Sequence, residues 1–249
     1  MAIGLREKIA IVTGASRGLG LAIAKQFAGE GATTVICSNS KEIERACSEI
    51  KGFGGNCEGF VVDVSKEKSV DDFINKIIKK YGRADILVNN AGWAGDKKAP
   101  IEKWDIDDYR KIMATNADSV FYFLRKIAPV FKKQKSGLII NISSGAGKRG
   151  HGELAAYSAS KFAVMGLTQS VAWELEGSGA KCVAVCPAGI NTDMREKLFG
   201  NEDSARQQSP EALAKIISQI ATGEIEISNG GDIFVKNGQV LEISNPLNL

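Results

Sequence analysis

Tyr157 and Lys161 stand four residues apart in Tyr157-Ser158-Ala159-Ser160-Lys161. On a helix that spacing puts both on one face, one turn apart. A free tyrosine titrates at about pH 10, too high to shuttle protons readily at neutral pH. A cation held nearby lowers such a value by roughly 1–3 units. Tyr157 with Lys161 is therefore a candidate general acid/base pair. The pattern Y-x-x-x-K is loose, and alone it describes an ordinary helix surface equally well. Other stretches also carry unusual residues. Thr13-Gly14-Ala15-Ser16-Arg17-Gly18-Leu19-Gly20 has glycines that let a backbone turn tightly and approach a pyrophosphate, whose charge then faces a helix N-terminus. Asp63-Val64 offers a carboxylate that can accept from an adenine amino group or cap a helix. Asn89-Asn90-Ala91-Gly92 brings two amides and a glycine. Ser143-Ser144 brings hydroxyls able to hydrogen-bond a substrate carbonyl, and Pro187-Ala188-Gly189-Ile190-Asn191-Thr192 can close over the far end of a bound cofactor.

The elements between these stretches explain how they meet. Lys8 to Thr13 is a short apolar run ending at glycine, the pattern of a buried parallel strand. Leu19, Ile23, Ala24 and Phe27 then follow a helical period, stopped by Gly29 and Gly31. Strands are expected at Thr33–Cys37, Gly59–Val64, Asp85–Asn89, Leu138–Ile142, Lys181–Val185 and Asp232–Val235. Helices are expected through Ile50, at Val70–Tyr81, from about Asp107 to Lys135 with a bend at Pro129, at about Ala156–Glu176 and at Glu211–Ile220. Asn237-Gly238 signals a tight turn into Gln239–Ile243. Such alternation implies a right-handed, mostly parallel sheet with helices on both faces. Ligands of such sheets bind beyond the carboxyl ends of the strands, which is where the unusual stretches fall.

The chain has 249 residues, 44% hydrophobic and 24% charged, enough for one α/β domain over 1–249 with a polar, irregular covering segment at about 194–208. A net charge of +3 gives no basis for a nucleic-acid or membrane partner. No apolar run reaches bilayer length, and Met1 to Lys8 carries charges where a secretory leader needs an apolar core. Cys37, Cys47, Cys57, Cys182 and Cys186 are odd in number without a C-x-x-C pair, which argues against a disulfide frame or a metal site. Cys182 and Cys186 share one face of an apolar run and read as small core residues. A reducing, cytoplasmic setting is expected.

The pieces T-G-A-S-R-G-L-G, D-V, N-N-A-G, N-I-S-S, Y-S-A-S-K and P-A-G-I-N-T, in that order, resemble the short-chain dehydrogenase/reductase family over nearly the whole chain. The resemblance implies an α/β fold, a single Rossmann-type doubly wound parallel sheet of about seven strands with helices on both faces. It implies a nicotinamide-dependent oxidoreductase acting on an alcohol or carbonyl carbon. Tyr157 matches the family's acid/base, and Lys161 its activator, which also holds the nicotinamide ribose. Ser144, thirteen residues before Tyr157, matches the substrate-orienting serine better than Ser143 does. Asn116 matches the asparagine that anchors a proton-relay water. Gly14, Ser16, Arg17, Gly18, Leu19, Gly20, Asp63, Val64, Asn90, Ala91, Gly92, Pro187, Ile190 and Thr192, with Tyr157 and Lys161, match cofactor contacts. The resemblance also implies a homo-oligomer, dimer or tetramer. Its dimer contact would pair the two long helices with those of a second copy through side chains such as Phe121, Phe123, Val164, Leu167 and Val171. Two pieces depart from the family: Pro187-Ala188 replaces P-G, and Val235-Lys236-Asn237-Gly238 replaces V-D-G-G. His151, the only histidine, reads as a loop residue because the acid/base role is already filled.

NAD-preferring enzymes place an acid after the second strand to accept from the ribose 2′-hydroxyl. Here that strand runs into Ser38-Asn39-Ser40-Lys41 without an acid, and Arg17 lies in the glycine loop, so NADPH is expected. The expected reaction is reduction of a small-molecule ketone to an alcohol, with Tyr157 as proton donor. An alternative is a 3-oxoacyl-[acyl-carrier-protein] reductase, which needs basic residues to dock an acidic carrier. Lys132, Lys133, Lys135 and Lys148-Arg149 are candidates, while Ser178 stands where such reductases often carry arginine. A catalytically silent NADP-binding sensor or scaffold is the alternative from another class. The intact set Asn116, Ser144, Tyr157 and Lys161 speaks against it.

Overall fold

Every residue of β1 (Ile9–Thr13) is buried, because helices cover both faces of the sheet it belongs to. The computed structural model describes residues 4–246; Met1–Ile3 of the opening segment and the last three residues of the tail lie outside that range. The other strands are β2 (Thr33–Ser38), β3 (Asn56–Val61), β4 (Ile86–Asn89), β5 (Gly137–Ile142), β6 (Ala180–Pro187), β7 (Asp232–Lys236) and β8 (Gln239–Ser244). They form one sheet in the order β3-β2-β1-β4-β5-β6-β7-β8. All neighbours are parallel except β7 and β8. The order reverses between β1 and β4, the point where a doubly wound sheet opens a crevice.

Side chains alternate across β1, and the two cores follow. Ala10 and Val12 pack with α1 (Gly18–Gly29), α2 (Glu42–Gly52) and α9 (Pro210–Thr222). Ile9 and Ile11 pack with α3 (Glu67–Tyr81), α5 (Ser119–Gln134) and α6 (Ala155–Leu175). Cys182 and Cys186 are buried in β6 as the apolar pattern requires. No helix among the described residues is long and apolar enough to cross a membrane.

Several elements differ from their sequence reading. The sheet has eight strands, in keeping with the expected seven or so, and the last is antiparallel. Asn237 (φ 52°) and Gly238 (φ 68°) both take positive φ, as a two-residue hairpin turn of matching twist requires. β3 ends at Val61, so Asp63 and Val64 lie in the loop beyond it. The long helix expected from Asp107 divides into α4 (Ile106–Met113), a π-helical turn (Ala114–Asp118) and α5. The irregularity comes at that turn, and Pro129 sits inside α5 without ending it. The covering segment is ordered into α7 (Asp193–Phe199) and α8 (Asn201–Ala205). Thr192 starts α7 by accepting from the Arg195 backbone N–H at 3.3 Å, a helix start its polar composition concealed. Phe123 and Val164 are core residues, with Leu167 and Val171 partly buried against the same core. Of the five side chains expected at a dimer contact only Phe121 is exposed, and Phe162 and Trp173 join it on these helices.

Candidate active site

The glycine loop, the N-N-A-G stretch and the ends of β5 and β6 open into one cavity of about 1290 Å³. Pockets for one ligand hold roughly 300–1,000 Å³, so a dinucleotide and a second molecule fit together. The loop is shaped for close backbone approach. Gly14 (φ 64°) and Gly18 (φ 55°) take left-handed conformations. A Cβ on Gly20 would lie 2.4 Å from the Gly14 carbonyl oxygen and 2.5 Å from Asn90 Nδ2. Thr13 Oγ1 accepts from the Asn90 and Ala91 backbone N–H groups, each at 3.0 Å. Asn90 Nδ2 donates to the carbonyls of Thr13 at 2.9 Å and Gly14 at 3.2 Å. The glycine loop and N-N-A-G are thus one unit. α1 starts beside them with no side-chain cap and no acid in its first turn, leaving N–H groups for an anion.

Around the far end of this crevice, Ser38, Asn39, Asp63 and Val64 line the cavity. Ser38 is buried, and its hydroxyl donates to the Ser40 carbonyl at 3.0 Å, leaving Asn39 the exposed polar side chain of that turn. Asp63 Oδ1 accepts from the Ser65 backbone at 3.0 Å and its hydroxyl at 2.6 Å, so one oxygen caps its own turn. Arg17 is exposed and pairs with Asp193 of α7 at 3.5 Å. Ser16 and Leu19 are buried beneath the loop. Pro187, Ile190 and Thr192 line the opposite wall.

Tyr157 and Lys161 lie on α6 as the spacing predicts, and both face the cavity. Lys161 Nζ stands 5.7 Å from the Tyr157 ring centroid and donates to the Ile142 carbonyl at 2.8 Å. Burial pulls the Lys161 ammonium down to about 8. The Tyr157 phenol does not show the depression expected from a neighbouring cation. Burial pushes it up, and the Ser144 hydroxyl opposes that only in part. The reason is desolvation: in this setting the cost of a buried phenolate outweighs the single hydrogen bond that favours it. Ser143 donates to the Lys161 carbonyl at 3.1 Å and is buried. Ser144 accepts from the Ala146 N–H at 3.1 Å, which leaves its own proton free to donate into the cavity.

Asn116 sits in the π-helical turn, a distortion common at functional sites. Its Oδ1 accepts from the Trp93 N–H at 2.8 Å, and its Nδ2 donates to the Trp93 carbonyl and to Ser160 Oγ, both at 2.9 Å. Both amide protons are therefore committed. An atom at the Cβ position of Gly92 would lie 3.4 Å from Asn116 Oδ1 and 3.6 Å from Lys161 Nζ, so Gly92 keeps open the space where those groups meet. His151 is exposed in the loop before α6 at the cavity mouth. Residues 8–203 match the family model for short chain dehydrogenase.

The chain belongs to the short-chain dehydrogenase family. It is 33% identical over 249 aligned residues to the 3-oxoacyl-[acyl-carrier-protein] reductase of Thermotoga maritima, covering 95% of this chain and 99% of that one. It is 40% identical over 192 residues to a 3beta-hydroxysteroid dehydrogenase of Mediterraneibacter gnavus, covering 77% and 69%. The crystal structure of the 3-ketoacyl-(acyl-carrier-protein) reductase of Brucella melitensis, complexed with NADH, superposes with a TM-score of 0.87 at 30% identity, covering 94% and 98%. Family membership makes the chain an oxidoreductase that uses a nicotinamide dinucleotide. Thr13, Trp93 and Ser160 of this short-chain dehydrogenase have roles that sequence reading did not assign, and Lys148 has one other than the docking role read for it. Thr13 ties the glycine loop to N-N-A-G, and Trp93 is held between Asn116 and the Lys111 ammonium, 4.2 Å from its ring. Ser160 braces Asn116 and donates to the Tyr157 carbonyl at 2.7 Å. Lys148 lies just after Ser144. Thr13 and Ser160 lie inside recognised motifs and Trp93 directly follows one, which was the available signal.

Proposed function

We propose that this chain is an NADPH-dependent carbonyl reductase. The observation that carries the reading is that Tyr157, Lys161 and Ser144 line the cavity that the glycine loop also lines. When bound, the dinucleotide supplies hydride to the carbonyl carbon. Ser144 donates a hydrogen bond to the carbonyl oxygen and orients it. Tyr157 donates its proton to the same oxygen as charge develops there. The upward push on its phenol keeps that proton in place at neutral pH until it is needed. Lys161, with one N–H on Ile142, has two left for the ribose and for stabilising the phenolate. The donated proton leaves on the alcohol, and Tyr157 is reprotonated from solvent through a water in the space beside Gly92, between Asn116 and Lys161. NADPH oxidation against acetoacetyl thioester, diketones, quinones, sugars and steroids tests the reading; no oxidation with any of them refutes it.

Arg17, and the acid-free turn at Ser38-Asn39, support NADPH as the dinucleotide. The exposed Arg17–Asp193 pair is worth about 0.2–1 kcal/mol. A charge-assisted contact to a 2′-phosphate is worth about 1.5–3 kcal/mol, so the phosphate takes the arginine. That gain is roughly ten- to a hundredfold in affinity. NADPH should exceed NADH by at least about tenfold in kcat/KM. Ser38→Asp should erode or reverse the preference, and Arg17→Ala should weaken NADPH selectively. Equal kcat/KM for the two dinucleotides would show that this turn does not read the phosphate.

The likeness to the Thermotoga maritima enzyme favours a second reading, a 3-oxoacyl-[acyl-carrier-protein] reductase. The docking residues suggested for it serve poorly. Lys132 and Lys133 end α5 and Lys135 follows it, just before the start of β5 and so at the opposite end of the strands from the cavity. Lys148 is held in ion pairs. Arg149 alone remains exposed at the mouth.

A second copy of the chain is proposed as partner. Phe162 and Trp173 on α6 and Phe121 on α5 are each about half exposed. Gly166 lies between the first two, with nothing within 4 Å of its Cβ position, so a facing helix can approach closely. Closed two-fold symmetry is the commonest arrangement. Light scattering at micromolar concentration should give a dimer or a tetramer, and a monomer would exclude this.

A further inference from the structure

Ser144 and Lys148 are the two ends of one short 3₁₀ turn, Gly145–Gly147. The Ser144 carbonyl accepts from the Gly147 N–H at 2.8 Å, and the Gly145 carbonyl accepts from the Lys148 and Arg149 N–H groups at 3.1 and 3.0 Å. A turn of this kind has poor hydrogen-bond geometry and little stability of its own. Gly145, Gly147, Gly150 and Gly152 add backbone freedom that must be lost on ordering. Something outside the turn has to hold it.

Lys148 Nζ donates to Asp232 Oδ1 at 2.6 Å, Glu242 Oε1 at 3.1 Å and Ser244 Oγ at 3.0 Å. All three of its N–H donors are used. Asp232 opens β7 and is only 4% exposed, so removing its partner would leave a buried charge uncompensated. Glu242 and Ser244 lie on β8. The β7 residue Phe234 supports the same turn: its Cε2 lies 3.2 Å from where a Gly145 Cβ would stand. Burial works against the Lys148 charge, but Asp232 and Glu242 more than offset it and hold the ammonium above the ordinary lysine range. The anchor therefore stays charged across the neutral range.

We propose that Lys148 is a positioning residue for Ser144: it fastens the serine's turn to the β7–β8 hairpin and so sets the hydroxyl against Tyr157. The inference rests on the reading of Ser144 as the group that orients the substrate.

The test uses the carbonyl of the panel above that is reduced fastest, with Lys148→Met, Lys148→Arg, Ser144→Ala and the double variant Lys148→Met with Ser144→Ala. Lys148→Met should lower kcat about tenfold, with dinucleotide Kd within about twofold of the parent, and Lys148→Arg should restore most of the loss. The double variant should lose no more than Ser144→Ala alone, because both changes remove one contribution. A double variant losing the product of the two single effects would mean general damage and overturn the proposal. So would parental turnover in Lys148→Met when Ser144→Ala is impaired. Parental turnover in Ser144→Ala overturns both the proposal and the reading beneath it. Should Lys148→Met fold poorly, Glu242→Gln, at an exposed partner, should give a smaller kcat loss in the same direction. Its parental kcat would then count against the proposal. If no carbonyl is reduced, hydrogen exchange over residues 144–150 decides. Exchange about tenfold faster in Lys148→Met or Glu242→Gln supports the anchor, and unchanged exchange overturns it.

Discussion

Tyr157→Phe lowers kcat for carbonyl reduction by about 10²- to 10⁴-fold, the range for losing a positioned general acid, and leaves NADPH affinity within about twofold. The ring, its packing on α6 and the nearby Lys161 ammonium all persist in phenylalanine; only the proton donor goes. Steady-state kinetics with fluorescence titration of the dinucleotide measure the two effects separately. Turnover near that of the parent would mean that the proton comes from elsewhere and that the roles assigned around Ser144 and Tyr157 are wrong. Matched losses of turnover and of dinucleotide affinity would instead point to a disturbed fold.

Lys161→Met acts on activity and stability in opposite directions. Activity should fall by about 10²-fold or more, with weaker NADPH binding, because the phenolate loses its stabilising cation and the ribose its donor. Ligand-free stability should rise. The Lys161 ammonium is held at about 8 against an ordinary 10.5, and a gap of that size corresponds to about 3 kcal/mol. The folded protein bears that cost in full below pH 8. Between pH 8 and 10.5 the unfolded chain binds more protons than the folded one, so stability contributed at this site rises with pH across that window. The variant forfeits the ammonium's bond to the Ile142 carbonyl, worth about 1.5–3 kcal/mol, so its net gain at pH 7 is about 0.5–2 kcal/mol. At roughly 2–4 °C per kcal/mol for a chain of this size, calorimetry resolves it. The difference in Tm between variant and parent should shrink from pH 7 to 10. In the parent, kcat/KM for reduction should fall as pH rises through about 8, as free Lys161 loses its charge. A Tm lower in the variant at pH 7 would show that burial does not strain this lysine.

The strand–helix alternation, the crevice at the strand ends and the stretches that meet there were legible in the residues. Those features are local. Apolar runs of strand length, glycines at fixed offsets and a four-residue helical spacing are set by backbone sterics and periodicity. They set Tyr157, Lys161, Ser144 and the glycine loop at the strand ends, where one cavity has all of them in its lining. The hairpin at Asn237-Gly238 was legible for the same reason. What depends on burial and on distant partners emerged only from packing. The π-helical turn at Ala114–Asp118 has no signature in residue type; it is where Asn116 reaches the Trp93 backbone, 23 positions away. Both Ser143 and Ser144 line the cavity, and which hydroxyl stays free there follows from which one the Lys161 backbone claims. The apolar surplus of α5 and α6 was visible, but packing against the sheet chose Phe123 and Val164 for the core and left Phe121, Phe162 and Trp173 outside. The charge balance of the site was hidden most completely. Proximity of Tyr157 and Lys161 suggested a lowered phenol. Desolvation, which no spacing records, raises the phenol and lowers the lysine instead. Lys148 read as a free basic residue until the fold brought Asp232 and Glu242, more than eighty positions downstream, within hydrogen-bonding distance of it.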